Sequence, residues 1–209
     1  MSLYEYLIEN YNENEPIFAA EIQVEDMTDI NIRQQLKKLT DSGKIKRFDI
    51  GIYFIPKKSV FRSGSQLSVY QVIERKYIQN NKERYGYVSG MMLANQMGLT
   101  TQVPMVYEVV TNKATKDYRA TILAKTRVVI RKPRAEVTEE NYKVLQFLDL
   151  MKDIDYYSEV EGEQLQKRLL RYMQEMKLRF NMLEPYLFYY PERIYKNMYE
   201  TGLLYGISS

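Results

Sequence analysis

The 209-residue chain contains no cysteine and no histidine. Without cysteine there is neither a disulfide framework nor a thiolate nucleophile. Without histidine the usual general base, the commonest metal ligand and the Ser-His and Cys-His pairs are all missing. No apolar run approaches the ~20 residues that span a bilayer. The opening residues, MSLYEYLIENYNENE, are polar and acidic and lack an apolar h-region, so no signal peptide is expected. The phosphate-loop pattern G-x-x-x-x-G-K-[ST], the dinucleotide pattern G-x-G-x-x-G and the zinc-protease pattern H-E-x-x-H do not occur. Acid pairs such as Asp153/Asp155 and Glu159/Glu161 could in principle hold Mg²⁺, but neighbouring carboxylates on a helix or loop usually face solvent. The expectation is a cytoplasmic protein that is not an enzyme and uses no cofactor and no metal.

What remains is a chain that is 45% hydrophobic and 27% charged, enough for an ordinary core. Its length suits one large domain or two small ones. The net charge of +3 conceals strong segregation. Residues 1–29 carry eight acidic side chains and no basic one; residues 30–58 carry eight basic and two acidic. Residues 59–135 carry thirteen basic and four acidic, and residues 136–209 nine basic and thirteen acidic. Positive charge therefore lies between Ile30 and Arg134, the footprint of a polyanion-binding surface.

Leu3, Tyr4, Leu7, Ile8 and Tyr11 fall at helical spacing, predicting a helix over Leu3–Asn12. Pro16 fits the first turn of a second helix, Ile17–Ile22. Thr28 caps a third, Asp29–Asp41, with Asp29 favourable in its first turn. Ile32, Leu36 and Leu39 form its buried stripe. At about 100° per residue, Arg33, Gln34, Lys37, Lys38 and Asp41 point the other way. Ser42-Gly43 stops the helix. Two short strands, KIKRF and IYFIP, follow around Asp49-Ile50-Gly51. Three helices and a basic hairpin is the winged helix-turn-helix order, in which the third helix enters the major groove and the hairpin touches the backbone beside it.

The candidate DNA-binding residues are accordingly Thr28, Asn31, Arg33, Gln34, Lys37 and Lys38 on the helix, with Lys44, Lys46 and Arg47 on the hairpin. Arginine and lysine pair with phosphates or guanine edges, and Gln34 or Gln35 can bond adenine bidentately. The competing expectation is a solvated amphipathic helix on a winged-helix scaffold used for protein contacts. The acidic first 29 residues oppose DNA binding unless the first helix lies on the far side.

Pro56 to Gln66 is polar and loop-like. The expected division is a DNA-binding domain over 1–58, a linker over 59–66 and a mixed α+β domain with a small sheet and several helices over 67–209. Within the latter, helices are predicted at Leu67–Gln79, Gly90–Met97 capped by Ser89, from Thr138 to about Lys152, at Gly162–Phe180, and from Pro191 to about Thr201. Strands are predicted at Val103–Thr111, Tyr118–Leu123 and Thr126–Arg131. A second basic cluster comprises Lys113, Lys116, Arg119, Lys125, Arg127, Arg131, Lys132 and Arg134. It is either a sheet edge guarded by charge against aggregation or a second polyanion surface, for DNA or RNA. The tyrosine-rich run EPYLFYYPERIYKNMYETGLLY serves either core and partner contacts or base stacking, with core and partner contacts favoured by its acidic surroundings.

Residues 85–134 resemble the shared core of AbiEi-like antitoxins. The elements that carry the likeness are GYVSG, the helix ending in MGLTTQVP, the strand VYEVVTNKA and the basic strand before KPR. The resemblance continues weakly into VTEENYKVLQFLDLMKDID, and the preceding segment follows the same domain order. It implies an antitoxin that also represses its own two-gene toxin-antitoxin operon by binding repeats in double-stranded operator DNA. It further implies a nucleotidyltransferase-like toxin as functional partner, without a stable complex, and two copies of the winged helix, a possible dimer on DNA. The alternative is a non-catalytic interaction module with a tyrosine-rich C-terminal interface.

Overall fold

The computed structural model describes residues 1–58 and 65–206. It is a mixed α+β chain with two small sheets and several helices, divided into two compact units, Met1–Arg75 and Lys76–Ser209. Most of the expected linker, 59–66, lies outside the described residues. The helix expected over Leu67–Gln79 is found as α3, Val69–Ile73, opened by a reciprocal capping box of Ser68 and Gln71 and followed by a π turn at Glu74–Ile78, within which the first unit ends at Arg75.

In the first unit α1 spans Leu3–Asn10 and α2 spans Asp29–Asp41. The start of α2 follows from Thr28, whose hydroxyl accepts a 3.3 Å hydrogen bond from the Asn31 N–H, one of the donors left over at a helix start. The expected helix over Ile17–Ile22 does not form. Ile17–Phe18 is a short strand, β1, followed by a 3₁₀ turn at Ala19–Glu21. A segment of this length is marginal as a helix, and strand pairing to β3 buries Ile17 and Phe18 completely enough to decide it. β2 (Lys46–Asp49) and β3 (Ile52–Phe54) make the hairpin, and the sheet order is β1-β3-β2, antiparallel throughout. Leu3 and Leu7 of α1 pack with Ile32 and Leu36 of α2, Ile45, Ile17 and Ile55 in one core.

The second unit is built on a four-stranded sheet of order β4-β5-β7-β6, with β4 at Gly86–Ser89, β5 at Val106–Thr111, β6 at Tyr118–Leu123 and β7 at Thr126–Arg131. β5 and β7 are parallel and the other pairs antiparallel. β4 is the strand of GYVSG, and its glycine is a matter of space. A Cβ on Gly86 would lie 2.1 Å from the Tyr77 carbonyl oxygen and 2.6 Å from that of Val110. MGLTTQVP is pinned by Glu159, whose carboxylate accepts 2.8 Å bonds from the Thr101 N–H and the Gln102 amide. Those bonds, the backbone one foremost, hold its carboxyl below the usual range.

α4 (Gly90–Gln96) and α5 (Tyr142–Lys152) lead into α6 (Ile154–Tyr157), α7 (Gly162–Met176), α8 (Phe180–Leu187), α9 (Arg193–Glu200) and α10 (Leu203–Gly206). α5 is the axis of this core, with Val144, Leu145, Phe147, Leu148, Leu150 and Met151 all buried. It starts later than predicted, because Asn141 rather than Thr138 precedes its first turn and the Asn141 side chain accepts the Thr138 N–H at 2.8 Å. The helix predicted to run through Phe180 breaks at Lys177, which adopts φ +58°, and resumes as α8. Among the described residues no helix is long and apolar enough to cross a membrane.

Candidate nucleic-acid interface and a polar cleft

The core contacts of α2 orient the rest of that helix. Ile32 and Leu36 face α1, so Asn31, Arg33, Gln34, Lys37 and Lys38 are exposed on the side turned away from it. The acidic α1 therefore lies behind the basic face. Ile30, 69% exposed, stands among these polar side chains. It is an apolar member that charge-based reasoning passes over and that suits contact with a thymine methyl. Thr28 is exposed but spends its hydroxyl on the cap.

The hairpin residues divide. Arg47 is exposed, with its Nε 3.3 Å from the Asp49 carbonyl oxygen. Lys44 holds its ammonium 4.7 Å from the centre of the Tyr4 ring, which ties it to α1. Lys46 is half-buried and donates to the Ser65 carbonyl oxygen at 3.4 Å, so it is turned into the unit. The tip is apolar, since Ile50 is 83% exposed.

The eight residues of the second basic cluster have different surroundings. Arg131 Nη2 meets Glu108 at 3.2 Å, and Lys132 lies 3.9 Å from Asp117. Lys113 sits 3.5 Å above the Tyr85 ring. Arg134 donates to the Tyr189 carbonyl oxygen at 2.9 Å beside the Tyr190 ring. Lys116, Arg119, Lys125 and Arg127 are exposed, and among the described residues none of them has an ion-pair partner.

Arg131 belongs to a feature absent from the sequence expectations, a cleft of about 440 Å³ in the second unit. Four acids (Glu108, Asp117, Asp149, Asp153) and four bases (Arg131, Lys132, Arg134, Lys152) line it. Lys152 Nζ lies 3.1 Å from Asp153 and 4.0 Å from Asp149. Asp153 also pairs with Arg193. Asp149 is 8% exposed and accepts a 2.6 Å hydrogen bond from the Tyr87 hydroxyl. Burial raises its carboxyl above the usual range, against the opposing pull of the Tyr87 bond and of Lys152, Arg134 and Arg131. Burial, with Asp149 alongside, likewise drives the Tyr87 phenol upward. The charges alternate rather than converge, and among the described residues no three carboxylates group as a metal would require. The signals were faint but present: an aspartate in the apolar helix VLQFLDLM and a glutamate in the strand VYEVVT. Ser89, expected to cap α4, makes no capping bond and lines the cleft instead.

The tyrosine-rich tail supplies core and surface together. Within the run, Tyr190 is buried and its hydroxyl reaches the Leu145 carbonyl oxygen at 3.2 Å; before it, Tyr157 and Tyr172 are buried too. Phe188, Tyr189, Tyr195 and Tyr199 of the run are exposed, as is Tyr156 ahead of it.

A family model described as a family of unknown function, DUF6088, matches residues 13–178, which is most of the chain. No curated protein matches.

Proposed function

We propose that this chain, which belongs to the DUF6088 family of unknown function, binds double-stranded operator DNA through a winged helix-turn-helix over residues 1–58 and regulates transcription. The observation that carries this is the exposed face of α2. Arg33, Gln34, Lys37 and Lys38 project together from the side opposite α1, next to the β2–β3 hairpin with exposed Arg47. A 13-residue helix with a basic and amide-bearing outer face matches the groove-reading element of such domains, and the hairpin takes the part of the wing. The element that usually precedes the reading helix is reduced here to the 3₁₀ turn at Ala19–Glu21.

The likeness of residues 85–134 to AbiEi-like antitoxins extends the proposal. The protein is an antitoxin that represses its own operon and opposes a nucleotidyltransferase-like toxin, with no stable complex implied. The test has two parts. In a gel-shift series the protein should bind DNA from upstream of its own reading frame at concentrations where random duplex of equal length is free. Equal binding to both would remove the operator-specific role. Co-expression with an adjacent nucleotidyltransferase-like reading frame should restore growth, and growth arrest that persists would remove the antitoxin role while leaving DNA binding intact.

A second reading is favoured by the exposed Tyr156, Phe188, Tyr189, Tyr195 and Tyr199, side chains of the kind enriched at protein interfaces. On that reading the first unit is a scaffold and the protein is an interaction module. Weak retention on heparin at low salt would favour it.

A further inference from the structure

We infer that the β6–β7 hairpin of the second unit is a binding surface for single-stranded nucleic acid, distinct from the α2 face and independent of the winged-helix proposal. β6 is an edge strand of the sheet. Its pairing with β7 places Tyr118 across from Arg131, Ala120 across from Val129 and Ile122 across from Arg127, all on one face. The outer part of that face is open: Tyr118 is 53% exposed and Ile122 74%, with Ala120 and Arg127 exposed between and beside them, whereas Val129 is buried and Arg131 is half-buried and paired with Glu108. The Arg131 guanidinium stands 5.7 Å from the Tyr118 ring. Apolar and aromatic side chains thus alternate with guanidinium groups across two strands. Lys116 and Lys125 flank the two ends of β6, and Arg119 projects from its other face.

Charge decides the occupant. Residues 113–134 hold eight basic side chains and one acid, Asp117. Lys116, Arg119, Lys125 and Arg127 have no ion-pair partner among the described residues. Such a surface attracts a polyanion and repels its own copy. If β6 of a second molecule paired antiparallel about the Ala120–Thr121 midpoint, Lys116 would face Lys125 at both ends, and like charges directly opposed destabilise a ladder. Among polyanions, a duplex hides its base faces and is read by an element that enters a groove. A two-stranded edge with an exposed ring and an exposed aliphatic side chain instead fits unpaired bases, whose faces stack on aromatics while Arg127 and the flanking Lys116 and Lys125 hold the backbone.

The test uses the full chain and fluorescence anisotropy with a labelled 12-nucleotide oligo(U) and a random duplex of equal length. The single strand should bind more tightly than about 100 μM at low salt. Tyr118→Ala should weaken single-strand binding by about 5- to 150-fold, the range for loss of one stacked base, with Tyr118→Phe restoring it. Arg127→Glu should weaken it at least tenfold, and neither variant should shift duplex affinity more than about twofold or change the circular dichroism spectrum. Lys37→Ala with Lys38→Ala should spare the single strand, which separates this surface from the α2 proposal. The inference is overturned by undetectable single-strand binding. It is equally overturned if Tyr118→Ala costs the single strand and the duplex alike, or if polyglutamate displaces oligo(U) as well as unlabelled oligo(U) does.

Discussion

Replacing Lys37 and Lys38 by alanine tests the α2 face most directly, because the structure bounds the size of the effect. Four cations of the first unit point outward from α2 and the hairpin: Arg33, Lys37, Lys38 and Arg47. Lys46 is turned inward and Lys44 is held over Tyr4, so neither is counted. If all four meet phosphates, log K against log salt should fall with a slope of about −3.6, and raising salt from 50 to 200 mM should cost about 150-fold in affinity. Without Lys37 and Lys38 the slope should be about −1.8 and the same change in salt should cost about 12-fold. The assay is anisotropy with operator duplex at four or five salt concentrations. Both lysines are exposed and make no core contact, so stability should move by no more than about 0.5 kcal/mol. A slope that stays near its original value in a double variant with unchanged unfolding would refute the assignment of α2 to DNA.

Three further outcomes are expected. Gln34→Ala should reduce discrimination between operator and random DNA by about 1–3 kcal/mol at any adenine it reads while barely changing binding to random sequence; a competition gel-shift checks this, and equal losses on both would contradict it. Thr28→Ala removes the cap bond to Asn31 and should cost about 1 kcal/mol in urea unfolding, with no effect beyond the first unit. Asp149 binds its proton more tightly folded than unfolded, so stability should fall as pH rises from the ordinary aspartate range through its raised folded value. Asp149→Asn keeps an acceptor for Tyr87 and should flatten that part of the stability–pH curve, whereas Asp149→Leu strands a buried hydroxyl and should destabilise at every pH; identical curves for wild type and Asp149→Asn would show that burial does not disfavour the Asp149 carboxylate.

What could be seen in the sequence was decided by short-range chemistry. α2 is found at its predicted ends because cap, apolar stripe and terminating glycine, Thr28 to Gly43, agree within sixteen residues. β6 and β7 match to the residue, each bounded by polar turns. The failures have long-range causes. β1 is a strand because β3 lies beside it, which Pro16-Ile17 alone does not reveal. β4 depends on carbonyls of Tyr77 and Val110 crowding Gly86, a constraint read only in three dimensions. The break at Lys177 uses a left-handed lysine where sequence rules look for glycine. On α2 the outward residues were legible, yet on the hairpin side the diversion of Lys44 to Tyr4 and of Lys46 to Ser65 was not. The cleft was missed because Glu108 in β5 lies some forty residues before Asp149 and Lys152 in α5, with no motif spacing to join them.

The placement of α1 behind α2 has a kinetic consequence. Glu5 and Glu9 on one side, and Arg33, Lys37 and Lys38 on the other, make the first unit an electric dipole despite its modest net charge. In the field of a polyanion such a body experiences a torque before it experiences contact. With α2 as the proposed DNA face, such a body would arrive with that face leading, and a larger share of collisions would be productive, most at low ionic strength.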